Sequence, residues 1–210
     1  AKGIPSTAAI TPIQFCEKYC QYVDEGYTDV IHVPINRSGS STYNNAVMAQ
    51  GMLREERPEH HLNIHLLDPH TYSMVFGWYL CEMARKLQNG AELRHVISEF
   101  ETQMNKMEII LGPYSLKQMK KSGRISAAAA VMGELMGIRP IITLIDGKTR
   151  VESKVRGDDK VIPAMIDLCK KRTEGVEDFD YMIGHTSIPQ AVELEKACRK
   201  AFGKAPLTTF

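Results

Sequence analysis

Apolar and polar positions along the chain fall into two alternating rhythms. Thr11 to Gly26 repeats its apolar residues with helical spacing, with Pro12 in the first turn and Gly26 as the stop. Val30 to Ile35 is a short apolar run of strand type, and residues 43–54 return to a helical pattern. His61 to Leu67 alternates apolar residues with His and Asn, as a strand does, and polar residues 54–59 form the loop before it. Thr71 to Asn89 predicts a long helix closed by Asn89-Gly90, and Ala91 to Gln103 predicts another. Strands alternating with helices predict a parallel sheet with crossover helices.

A second unit begins with the strand at Met107 to Leu111. It continues through helices over 115–121 and 127–136, a strand over 140–145, and its hairpin partner over 148–155. Asp146-Gly147 between these strands is a strong hairpin signal. A helix over 158–172, a strand over 179–184 and a helix over 188–202 complete the pattern. The predicted class is therefore α/β: a first unit over 1–105 with a mainly parallel sheet flanked by helices, and a second over 106–210 of α+β type with a β-hairpin.

Two segments carry chemistry. In the first, a strand runs into the hydroxyl-rich loop Arg37-Ser38-Gly39-Ser40-Ser41-Thr42 and then a helix. Backbone N–H groups and hydroxyls there suit a phosphate or carboxylate, and Ser and Thr also cap helices routinely. Four hydroxyls within five residues exceed what one cap requires. In the second, Ser122-Gly123-Arg124 opens a helix of small residues, where the guanidinium adds its charge to the positive end of the helix dipole. An arginine at such a turn also reads as a plain surface charge.

Composition narrows the classes. The 210 residues carry 26 Lys+Arg against 25 Asp+Glu, a net charge of +1, which indicates no nucleic-acid footprint. No apolar run reaches the roughly 18–20 residues of a membrane span. Five scattered cysteines favour reduced thiols in a cytoplasm over a disulfide framework, and Cys16 and Cys20 read as buried neighbours one helical turn apart. His60, His61, His65 and His70 lack a zinc-ligand pattern, so no metal is expected. No phosphate-binding P-loop and no nucleophile elbow is present.

The order of motifs resembles the DegV family of bacterial fatty-acid-binding proteins. Gly123-Arg124-Ile125-Ser126, then Ile138-Arg139-Pro140-Ile141 and Asp146-Gly147, match its last set of motifs, and Lys154-Val155-Arg156-Gly157 also fits. Gly39-Ser40-Ser41-Thr42-Tyr43 stands for the family's Leu-Ser-Gly-Thr-Tyr loop, with Ser41 at a glycine position. Thr7 to Pro12 stands for its first loop, with Ala8, Ala9 and Ile10 in place of Ser, Gln and Pro, and residues 68–73 stand at the third place. Against the family pattern, a first strand and a last strand with its histidine segment are expected to be missing.

The resemblance implies one long-chain fatty acid held between the two units and no other cofactor. Its carboxylate would sit at Thr7 and Ser40 with Ser41 and Thr42, and Thr11 and Ile125 would lie nearby. It also implies a non-enzyme whose partner, a fatty acid kinase, phosphorylates the bound carboxylate, with Arg124 and then Arg156 at the mouth of the site. The alternative from the residues alone is an enzyme that holds a small phosphorylated metabolite through the hydroxyl loops and Arg124. No motif fixes a general base beside Ser40 for such chemistry.

Overall fold

The computed structural model describes residues 6–116 and 137–210. The helices expected over 115–121 and 127–136 fall almost wholly outside them, as does the Gly-Arg turn. The chain divides into two compact units, Ala1–Met107 and Glu108–Phe210.

In the first unit the helical rhythms become α1 (Pro12–Asp24), α2 (Thr42–Glu56), α3 (Met74–Gln88) and α4 (Leu93–Lys106). Thr11 caps α1 through a reciprocal box. Its hydroxyl accepts from the Gln14 N–H at 3.3 Å, and its own N–H donates to Gln14 Oε1 at 3.0 Å. The strands are β1 (Asp29–His32) and β2 (Asn63–Leu66), paired in parallel from Asp29 opposite Asn63 to His32 opposite Leu66. The strand expected to reach Ile35 stops at His32. Pro34 has no N–H to offer a ladder, which limits how far β1 can extend.

Helix α2 crosses over between the two parallel strands and packs on α1. Ala46 and Ala49 are fully buried on its inner face, small enough for Phe15, Tyr19 and Leu53 to close around them. Tyr19 reaches from α1 to His32 at the end of β1, with Oη 2.6 Å from Nδ1. A second apolar cluster joins Leu67 and Met83 to Val96, Phe100 and Met104 of α4.

The second unit contains a three-stranded antiparallel sheet in the order β3 (Glu108–Leu111), β4 (Ile138–Ile145), β5 (Lys148–Arg156). Asp146 and Gly147 both take positive φ, 48° and 71°, as a two-residue hairpin turn with the twist of its strands requires. Strand β3 pairs only with Ile142–Ile145, so Ile138–Ile141 have β5 alone beside them among the described residues. Pro140 lies in that singly paired stretch, where a missing N–H is tolerated. A bulge opposite Ile141 and Ile142 leaves Glu152 outside the register.

After β5, Gly157 at φ 96° leads into a 3-10 turn, Asp158–Lys160, and then α5 (Val161–Arg172). The single helix expected over 158–172 is thus divided at its first turn. Pro163 falls where helix N–H groups have no intrahelical partner. Helix α6 (Ile188–Phe202) packs on α5 around Ile162, Ile166, Ile183 and Cys198.

The strand expected over 179–184 does not form. Ile183 alone makes a bridge, parallel to Thr209, while Asp178 and Asp180 turn to Lys204 at 3.0 and 3.7 Å. Among the described residues the backbone bonds of this segment run to 207–210, as from the Leu207 N–H to the Tyr181 carbonyl at 2.8 Å, without a continuous strand. With a parallel sheet and crossover helix in the first unit and an antiparallel hairpin sheet with helices in the second, the mixed α/β class read from the pattern holds.

Candidate functional site

The loops that leave the C-terminal ends of β1 and β2 meet within the first unit. Parallel α/β sheets hold ligands at that end, because the strands deliver loops and the following helices present free N–H groups. The Asn36 N–H donates to the Thr71 carbonyl at 3.1 Å and ties the two loops together. Asn36 Oδ1 accepts from both the N–H and the hydroxyl of Ser38, at 2.8 and 3.0 Å. Asp68 Oδ1 accepts from the N–H groups of Arg37 and His70, at 3.4 and 3.0 Å. Tyr72 lies so close over Gly39 that a Cβ there would fall 1.5 Å from its hydroxyl.

Three polar atoms of these loops are buried without a hydrogen bond: Asn36 Nδ2, Thr71 Oγ1 and Asp68 Oδ2. Asn36 and Thr71 are only 1% and 3% exposed, so water does not replace the missing partners freely. Asp68 Oδ2 has the Arg37 Nε at 4.0 Å, close enough for charge attraction and too far for a hydrogen bond, and His70 Nδ1 at the same distance. The exposed Arg37 guanidinium also lies over the Tyr43 ring, 5.4 Å from its centroid. His70 and Ser73 adopt positive φ, 54° and 72°, conformations that side-chain-bearing residues take at a cost and that cluster at ligand sites. The donors gathered here, an amide NH₂, a hydroxyl and a guanidinium, suit an oxyanion, with Arg37 offsetting the negative charge of Asp68.

Ser40, Ser41 and Thr42 lie together at the start of α2. The Ser40 and Thr42 hydroxyls are 2.8 Å apart, and Ser40 Oγ accepts from the Thr42 N–H at 3.2 Å. Part of the hydroxyl supply is therefore used within the loop. Ser41 is exposed and its side chain caps nothing, which leaves its hydroxyl open. Thr7 is exposed in the extended segment before α1. Asn45 Nδ2 donates to the Ile10 carbonyl at 2.7 Å and fastens that segment to the first turn of α2. The Thr11 hydroxyl is committed to its capping box. Arg124 and Ile125 lie outside the described residues, and Arg156 closes β5 in the other unit with an exposed side chain.

Sequence reading missed Asn36, Arg37 and Thr71 as contributors. A polar residue just past a parallel strand was the available signal, and capping chemistry accounted for it equally well. Of the histidines, His60 Nδ1 accepts from the Leu62 N–H at 3.1 Å and His65 Nε2 lies 2.8 Å from Asp29 Oδ1.

Comparison with known proteins gives consistent relatives. The family profile described as "Uncharacterised protein, DegV family" matches residues 1–209. A DegV domain-containing protein of Clostridium perfringens is 30% identical over 165 residues, 78% of this chain and 56% of the relative. One from Staphylococcus aureus is 29% identical over 180 residues, 86% of this chain and 59% of the relative. The chain thus spans less than two thirds of the length of these curated relatives. Among solved structures, a fatty acid binding DegV family protein of Streptococcus agalactiae superposes with a TM-score of 0.83 at 25% identity, covering 100% of this chain and 72% of that one. A stearic acid-binding protein of Eubacterium ventriosum gives 0.85 at 22% identity, covering 99% and 71%, and shares the fold. Among the described residues no helix is long and apolar enough to cross a membrane.

Proposed function

The chain belongs to the DegV family, and from that premise we propose that it binds a long-chain fatty acid whose carboxylate is held by the loops after β1 and β2. The observation that carries this reading is the pair of buried donors, Asn36 Nδ2 and Thr71 Oγ1, left without partners in the loop cluster that precedes α2 and its Ser40–Thr42 hydroxyls. An unpaired buried polar group costs about 1–3 kcal/mol, and an oxyanion ligand would recover that cost on binding. Each buried methylene of the acyl tail adds roughly 0.8 kcal/mol. The solved relatives described as fatty-acid binding support the choice of ligand.

The same donors would accept a phosphate ester, so the identity of the anion is the first thing to measure. Denaturing the purified protein and analysing the released small molecules by mass spectrometry should yield long-chain fatty acid. A phosphorylated metabolite in its place would favour an enzyme. Asn36→Asp keeps the acceptor that Ser38 uses and replaces the free amide with a negatively charged oxygen. It should weaken fatty-acid binding by an order of magnitude or more, at about 1.4 kcal/mol per tenfold. Affinity equal to the parent chain, measured by calorimetry, would remove the loops from the site.

The finer proposal is presentation of the carboxylate to a separate fatty acid kinase, with Arg124 meeting the phosphate. A forked, always-charged guanidinium suits phosphate better than an ammonium. Arg124→Ala should therefore retain fatty acid and lose acyl-phosphate formation, and Arg124→Lys should rescue it poorly. Wild-type acyl-phosphate rates in Arg124→Ala would refute this role.

A further inference from the structure

Where the last residue of α2 meets α1, two thiols and a carboxylate converge. Cys16 and Cys20 are four residues apart on α1, so their side chains share one helix face. Glu56 is the last residue of α2. One ligand atom from each of the three lies within 4.8 Å of the others, and Cys20 Sγ is 3.5 Å from Glu56 Oε2. The cysteines are buried, 2% and 8% exposed, while Glu56 is exposed and opens the cluster to solvent.

Two buried thiols in an apolar cluster are ordinary core filling. The carboxylate beside them adds a third, anionic ligand atom, held there by the hydrogen bond from the Cys20 thiol. We infer that Cys16, Cys20 and Glu56 form a three-ligand site for a thiophilic divalent cation of the zinc type, with water as the fourth ligand. The donor set, two thiolates and one carboxylate, is of the kind that binds zinc tetrahedrally. Metal–sulfur and metal–oxygen bonds of roughly 2.3 and 2.1 Å put tetrahedral ligand atoms roughly 3.5–4 Å apart. The side chains already stand close to that spacing.

Without metal the thiols hold their protons. The Cys20 thiol donates to Glu56 Oε2 at 3.5 Å. A cation entering the site binds two sulfurs and one carboxylate oxygen, and the two thiol protons leave to solvent. Affinity must then fall steeply on acidification, by up to roughly 100-fold per pH unit for a two-proton exchange. Binding would also clip α1 to the end of α2.

The test uses the full chain, reduced and freed of metal with a chelator, titrated with Cd²⁺ and Co²⁺. The expected result is an ultraviolet thiolate-to-metal charge-transfer band that saturates at one equivalent, with release of about two protons. Glu56→Gln changes an exposed residue and leaves the fold intact. It should weaken binding on the order of 10-fold or more. Cys20→Ala should abolish the stoichiometric band while its circular dichroism stays that of the parent. Absence of the band in the parent chain would overturn the site. So would a band of equal strength in both variants, which would locate the metal elsewhere, as on the exposed Cys81.

Discussion

Gly39 shows how much a single missing side chain can decide. A Cβ at this position would lie 1.5 Å from the Tyr72 hydroxyl and 2.6 Å from Cζ, so the loop after β1 can approach the loop after β2 only if residue 39 has none. Gly39→Ala should cost about 1–3 kcal/mol through overpacking, read as a lower urea midpoint. Adding Tyr72→Ala should recover much of it, and no recovery would mean that the strain lies elsewhere. His32 is the other decisive residue. Burial holds it below the usual imidazole range, and its Nδ1 lies 2.6 Å from the Tyr19 hydroxyl. The folded state binds fewer protons here than the unfolded chain does. The stability this gives is complete above about pH 6.5 and is lost as pH falls through the lower folded value. Tyr19→Phe should lower stability by about 1 kcal/mol at neutral pH by removing the hydrogen bond to His32. Equal urea midpoints for parent and variant at about pH 8 would show that the contact contributes nothing. None of these roles was legible in the sequence. A glycine or a histidine shows its type there, and burial and the identity of its neighbour across the fold are what give it a task.

Elements were more readable when their cause was local. The Asp146-Gly147 hairpin depends on residues a few positions apart and forms as the sequence predicts, and the helix read from Thr11 starts at Pro12 with Thr11 as its cap. The strand expected over 179–184 depended on a partner distant in sequence, and among the described residues of that segment Ile183 alone forms a bridge. The Ser40–Thr42 loop could be seen as a polar strand-to-helix connection. The buried amide of Asn36 could not, because its burial is set by Thr71, which belongs to the loop of another strand. Element packing also explains Arg172 at the end of α5, which pins that helix to the sheet. Its guanidinium lies 3.3 Å from Glu108 Oε1 and 3.0 Å from Glu152 Oε1, and Glu152 in turn accepts from the buried Thr143 hydroxyl at 2.8 Å. The Glu108 contact is an ion pair without hydrogen-bond geometry, since the same oxygen has no bonded partner. Burial raises the Glu108 carboxyl and the Arg172 charge opposes the rise. Arg172→Ala leaves two half-buried carboxylates facing each other and should destabilise the second unit. The cost should fall between the ~1 kcal/mol of an exposed pair and the ~3 kcal/mol or more of a buried one. A thermal midpoint indistinguishable from the parent's would refute that anchoring.

Across the whole molecule, the near-balance of charge and the two-unit pattern were visible from the outset, and the structure gives each unit its own apolar clusters. The motif order that pointed to the DegV family spans both units, which is why the family was legible at 30% identity while individual contacts were not. A net charge of +1 and an isoelectric point near 7.8 leave little repulsion between copies at neutral pH. Shape must then do some of the work of keeping molecules apart, and Pro140 is placed to do it. Pro140 and Ile141 are buried in the folded chain, so the stretch of β4 beyond the end of β3 meets other chains only when the fold opens, as an edge on which foreign strands add. A proline there interrupts the row of donors that such a template needs, so the residue acts as a gatekeeper against self-assembly. Pro140→Val would fill the gap with a strong strand former. Secondary structure should be unchanged, and far more of the protein should sediment after concentration or gentle heating; an unchanged soluble fraction would show that the edge needs no guard.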